Sequence, residues 1–187
     1  MQLTHLTIAD YKRMPWKNGG GMTTEIMSEP SNGAFDWRIS IAEVAQSGPF
    51  SDFSGYDRTI MLLDGAGFTL EFEQRPAQRL SQSFEPFRFD GALRTQCTLI
   101  GGPVRDFNLM ARKGTEAVLE VLRLVPGAGP LRPARTTLLH LFHGQITAAG
   151  RDLNPGETLR IGGATAELDL ALHRPSVAAV IRIGGAA

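Results

Sequence analysis

Short runs in which apolar and polar residues alternate, broken by glycine and proline, fill the whole chain. The clearest is Phe35 to Ala45. Phe35, Trp37, Ile39 and Ile41 fall on one face, and Asp36, Arg38, Ser40 and Ala42 on the other. The apolar face needs a core. The second face, with its small Ser40 and Ala42, either meets solvent or lines a polar cavity with room for a ligand.

The same period predicts strands elsewhere. Leu3 to Ile8 reads as a first strand, and Asp10 to Pro15 as irregular. Trp16-Lys17-Asn18-Gly19-Gly20-Gly21 is a loop, followed by a strand from Met22 to Met27 and a turn from Glu29 to Ala34. Gly48 to Arg58 is a glycine- and proline-rich lead-in to the apolar run Thr59 to Leu63 and the turn Asp64 to Gly67. A small β-barrel places such a sequence at its mouth. Gly67 to Glu73 alternates, Gln74 to Arg79 reads as a turn around Pro76, and Phe84 to Phe89 suits an edge strand or loop. From Val104 to Met110, Arg105, Phe107 and Leu109 share one face, and Asp106, Asn108 and Met110 the other. Further strands are expected at Glu116 to Val125, Thr136 to His143, Gln145 to Ala148, Thr158 to Ile161, Ala166 to Leu172 and Val177 to Ile183, with a turn at His173 to Ser176. Helical periodicity is nearly absent. The expected fold is all-β, a sandwich or barrel of short strands.

Thr59 to Gly65 and Leu138 to Gly144 echo one another, each an apolar strand ending in glycine. With the proline-rich stretch from Pro126 to Pro133 as a linker, the echo suggests two related β units, residues 1–125 and 126–187.

Composition narrows the function. The 187 residues are 42% hydrophobic and 20% charged, an ordinary globular balance, with zero formal net charge and a pI near 6.9. Such a chain has no electrostatic footprint for nucleic acid or acidic membranes, so anion recognition must come from a local pocket. The single cysteine, Cys97, excludes an internal disulfide and fits the cytosol. The first residues lack the basic-then-apolar pattern of a signal peptide, and no apolar run approaches the ~20 residues of a membrane span.

The four histidines are His5, His140, His143 and His173, with no His-x-His pair. His140 and His143 would point to opposite faces of a strand, so neither a metal site nor a cofactor is expected. There is no Gly-x-Ser-x-Gly elbow, and Gly19 to Gly21 lacks the Lys-Ser/Thr ending of a phosphate loop. No catalytic residue is assigned on these grounds. Polar recognition remains. Lys17, Arg38 and Arg58 are candidate anchors for a carboxylate, which arginine binds bidentately. Asn18, Ser40 and Asn108 can hydrogen-bond a ligand, and Glu25 and Asp57 can hold the cations in place. For any single one of these, a surface pair worth about 0–1 kcal/mol is the more common outcome.

Three ordered motifs resemble the HutD/Ves family: Trp16 to Ile26, Trp37 to Ala42, and Gly48 to Arg58. Asp106-Phe107-Asn108-Leu109-Met110 resembles a fourth. The resemblance implies a bicupin, two cupin-type β-barrel or jelly-roll units in one chain, with Ser51 and Phe53 where such barrels often carry metal-binding histidines. It also implies a role in histidine utilisation, as a non-catalytic sensor of N-formyl-L-glutamate or a related carboxylate that limits pathway output. Lys17, Asn18, Glu25, Arg38, Ser40, Arg58 and Asn108 would form its ligand site. A metal-independent isomerase or lyase, with Glu25 or Asp57 as general base and Arg58 at an oxyanion, is the alternative. A stress-response role of the Ves type and a protein-interaction module are others. Exposed cupin edges often pair, so a homodimer is expected.

Overall fold

The computed structural model describes residues 1–17, 19–31, 33–125, 129–163 and 166–186. Its first strands are β1 (Gln2–Leu6), β2 (Lys12–Pro15), β3 (Gly21–Glu29), β4 (Trp37–Val44), β5 (Gly48–Pro49) and β6 (Tyr56–Asp64). Next come β7 (Phe68–Phe72), β8 (Arg75–Leu80), β9 (Phe87–Asp90), β10 (Thr95–Leu99) and β11 (Val104–Arg112). The last are β12 (Ala117–Leu124), β13 (Ala134–Ala148), β14 (Arg151–Leu153), β15 (Thr158–Gly162) and β16 (Leu170–Ala186). A 3-10 turn spans Ile8–Asp10. No helix among the described residues is long and apolar enough to cross a membrane.

The chain packs as two compact units. Residues 12–114 form one, and residues 1–11 together with 115–187 form the other. The packing thus divides the chain elsewhere than at 125/126. β12 pairs along its length with β16, and β1 pairs with β15, so strand pairing assigns both to the second unit.

Residues 12–114 form a sandwich. A six-stranded sheet, ordered β2-β3-β4-β11-β6-β9, faces a four-stranded sheet ordered β5-β10-β7-β8. Ala42, Val44, Ile60, Leu62, Phe89 and Val104 of the first pack with Phe68, Leu70, Leu80 and Cys97 of the second. Each buried Val, Ile, Leu or Phe among them stabilises the fold by about 1.5–3 kcal/mol. The other face of the larger sheet carries Ile39, Met61, Phe107 and Leu109, all buried. Both faces of β4 and β11 are therefore covered, which settles the polar face of Phe35 to Ala45 as an interior one. Arg75 to Leu80 is a strand rather than a turn. β8 is the edge of its sheet, where Pro76 removes no ladder hydrogen bond.

The second unit holds a sheet ordered β1-β15-β13-β16-β12, with β14 paired to β13. Leu139, Leu141, Ile146, Leu153, Leu159, Ile161 and Val180 fill its core. His173 to Ser176 lies inside the continuous β16, whose pairing with β13 shifts register near Gln145. The two glycines of the internal echo also differ in role. Gly65 turns the chain after β6. Gly144, with φ at +93°, is a bulge inside β13, where a Cβ would collide with Ser176 and the Pro175 carbonyl.

Candidate functional site

In residues 12–114 the inner face of the six-stranded sheet changes character along its strands. Cross-strand register sets Val44 opposite Val104, Ala42 opposite Asp106, Ser40 opposite Asn108 and Arg38 opposite Met110. On the other side of β11, Leu62 lies opposite Asp106, Ile60 opposite Asn108 and Arg58 opposite Met110. One end is apolar and joins the core. The other end is polar and opens into a cavity of about 570 Å³.

Three further segments close that cavity. Met14, Pro15, Trp16 and Lys17 come from β2 and the loop after it, Thr23 from β3, and Pro49, Phe50, Ser51 and Phe53 from the lead-in to β6. The first loop is pinned. Trp16 Nε1 donates to Thr23 Oγ1 at 2.8 Å, and the Trp16 ring lies over Gly21. A Cβ on Gly21 would come within 3.0 Å of that ring and collide with the Glu43 carbonyl, so only glycine fits. The second loop is held by Asp52, which accepts from the Ser54 amide and hydroxyl, and by backbone bonds from Phe53 to Gly91 and from Gly91 to Tyr56.

Arg58 sits at the centre, 6% exposed. Its Cζ lies 5.0 Å from the Phe50 ring centroid, 5.4 Å from Phe53 and 5.1 Å from Phe89. Such rings favour a guanidinium by about 0.5–2 kcal/mol each. Its NH2 donates to Asn108 Oδ1 at 3.0 Å, and its Nε has no hydrogen-bond partner. Asn108 Nδ2 in turn donates to Asp106 Oδ1, while Asp106 Oδ2 has no partner. Asn108 thus links a buried cation to a buried carboxyl, and no Arg58–Asp106 ion pair forms among the described residues.

The electrostatics follow from burial. Desolvation brings Arg58 down to about 10, partly offset by the Asp106 charge. Desolvation pushes Asp106 up to about 7, against the pull of Arg58 and the Asn108 hydrogen bond. Arg38 is lowered by burial and held up by Glu25. Its Nε also lacks a partner, its NH2 approaches Met110 Sδ at 3.3 Å, and Phe53 lies 5.4 Å from its Cζ. One phenyl ring therefore stands beside both guanidiniums.

Of the ligand residues expected from sequence, Lys17, Arg38, Ser40, Arg58 and Asn108 line this cavity. Asn18 lies outside the described residues. Glu25 pairs across from Ser40 but is not part of the lining; it accepts from the Ser28 hydroxyl at 3.1 Å. Asp57 turns away and meets Arg88 at 2.8 Å. Sequence reasoning missed Asp106, Phe50, Phe53, Thr23 and Met110. Asp106 was legible from parity alone, since it shares a strand face with Asn108. The four histidines lie in the other unit. Among the described residues no group of three or more His, Cys, Asp and Glu side chains is placed to hold a metal ion.

The HutD family model matches residues 8–180 of the chain. An uncharacterised 21.2 kDa protein in the hutC 3' region of Pseudomonas putida is 40% identical over 158 residues, 81% of either chain. Protein Ves of Escherichia fergusonii is 38% identical over 108 residues, 55% of this chain and 56% of Ves. The structure of HutD from Pseudomonas fluorescens SBW25, in a formate condition, aligns with a TM-score of 0.82 at 33% identity, covering 98% of this chain and all of that one. A pirin from Escherichia coli shares the fold alone, with a TM-score of 0.73 at 10% identity over 96% of this chain and 98% of its own. The all-β, cupin-type jelly-roll class expected from sequence agrees with the nearly all-strand chain and with its cupin- and pirin-type jelly-roll neighbours.

Proposed function

Because this chain belongs to the HutD family, which is associated with histidine utilisation, we propose that its cavity binds a small carboxylate and that the protein acts as a sensor of that ligand. One observation carries the reading: Arg58 is buried at the cavity wall with no carboxylate partner and with an unused Nε donor. A buried, unpaired guanidinium costs several kcal/mol. A ligand carboxylate would satisfy it with charge-assisted hydrogen bonds. Arg38 and Lys17 line the same space, so the cavity suits a ligand with more than one anionic or accepting group. N-formyl-L-glutamate, two carboxylates and a formamide, has that chemistry.

Calorimetric titration with N-formyl-L-glutamate, urocanate and histidine tests the reading. We expect the dicarboxylate to bind, Arg58→Met to abolish the signal, and Asp57→Asn to leave it unchanged, since Asp57 faces Arg88. No binding of any of the three at millimolar concentration would overturn it. Asp106 is the one feature that favours the enzyme alternative, because a buried carboxyl near neutrality in a cavity suits acid–base work. Product formation on prolonged incubation, lost in Asp106→Asn, would replace the sensor with a catalyst.

A further inference from the structure

Asp106 is 1% exposed and lies on the cavity wall, yet it makes no ion pair with Arg58 among the described residues. Were this a structural salt bridge, the two groups would meet directly. Instead Asn108 stands between them, spending Oδ1 of Asp106 and one NH2 of Arg58. Three polar atoms are left over beside one cavity: Arg58 Nε, Arg38 Nε and Asp106 Oδ2. A bound carboxylate answers the first two. It also places a second anion near Asp106, and two carboxylates sharing a buried site do not both stay ionised.

We propose that Asp106 is the acid half of the anion site: it binds the ligand as a neutral carboxyl, donating its Oδ2 proton to the ligand carboxylate that Arg58 and Arg38 hold. The inference rests on the carboxylate reading above and adds a residue and a proton to it. Ligand binding then takes up a proton from solvent whenever free Asp106 is ionised. A ligand N–H bonded to ionised Asp106 would do the reverse, releasing a proton on binding.

The groups around Asp106 leave it as the titrating partner. Arg58 on β6, at about 10, stays charged near neutrality. Cys97 on β10, pushed up to about 12 by burial, stays neutral. Arg38 on β4 is balanced by Glu25 on β3. Lys17 lines the same cavity, and any contribution from it would survive removal of Asp106. The free Asp106 carboxyl, held near 7, changes state within the accessible range.

Calorimetry with formate, glutarate and N-formyl-L-glutamate at pH 6, 7 and 8, each in two buffers of different ionisation enthalpy, counts the protons. Uptake approaching one proton per ligand is expected at pH 8, with affinity at pH 6 roughly tenfold above that at pH 8. Asp106→Asn, whose amide donates at any pH, should bind with little pH dependence. Proton release, affinity rising with pH, or an unchanged slope in Asp106→Asn would overturn the assignment while leaving the anion site standing. No binding of any probe at any pH would overturn the anion site and this inference with it. Should Asp106→Asn fail to fold, the proton count of the wild-type protein decides alone.

Discussion

In the ligand-free protein, Asp106→Asn should raise stability at pH 8 and lose that advantage at low pH. The sign follows from linkage. Burial raises the folded-state value of Asp106 from 3.8 to about 7, so between those limits the folded protein holds a proton that the unfolded chain has lost. This contribution is fully favourable below about pH 4 and is lost as pH rises towards 7. Roughly three pH units at about 1.4 kcal/mol each give about 4 kcal/mol as an upper bound. The attraction of Arg58 is already contained in that shift. Asparagine mimics the neutral acid in shape, and its unpaired amide replaces an unpaired hydroxyl. We therefore expect a gain of about 2–4 kcal/mol at pH 8, growing by about 1.4 kcal/mol per unit between pH 4 and 7 and then levelling. Urea denaturation at a series of pH values measures it. Both tryptophans, Trp16 and Trp37, lie in residues 12–114, so fluorescence reports the unit that holds Asp106. A wild-type-to-variant difference constant with pH, or one that closes as pH rises, would refute the reasoning.

Arg58→Met should weaken carboxylate binding about 30- to 1,000-fold, from the loss of charge-assisted bonds worth about 2–4 kcal/mol in all. The same variant should not lose stability, because burial already costs the charged Arg58 about 3 kcal/mol below pH 10, and methionine can pack against Phe50, Phe53 and Phe89. Thermal melting together with calorimetry separates the two effects. Gly21→Ala should destabilise residues 12–114 by about 1–3 kcal/mol and weaken binding, since its Cβ meets the Glu43 carbonyl and the Trp16 ring that walls the cavity. A variant as stable as wild type would show that the Trp16 loop is free to shift. In the other unit, burial brings His140 down to about 3, with Nδ1 at 2.8 Å from Thr158 Oγ1. Its folded value lies below the unfolded 6.5, so stability there should fall as pH drops below 6.5, by on the order of 3 kcal/mol by pH 4. Hydrogen exchange of β13 amides measures this, and His140→Gln should flatten the acid limb.

Alternation alone determined that this chain is built of short strands, and that Arg38, Ser40 and Ala42 share one face while Asp106, Asn108 and Met110 share another. It also marked Gly48 to Arg58 as the mouth of a β structure. These features are local, fixed by the two-residue repeat of a strand and by glycine and proline stereochemistry. Pairing was decided only in three dimensions. Nothing in the spacing places Asn108 between Arg58 and Asp106, because that depends on which strands flank β11 and in what register. The same non-local pairing assigned β1 and β12 to the second unit and carried β16 straight through an expected turn. Asp57 and Arg58 are neighbours in sequence with equal claims to a site. The sheet sends Asp57 out to Arg88 and Arg58 into the cavity, since adjacent strand residues must face opposite ways. The face that carries Arg58 is the one the four-stranded sheet covers. The displaced protonation of Asp106 exists only because that cover excludes water.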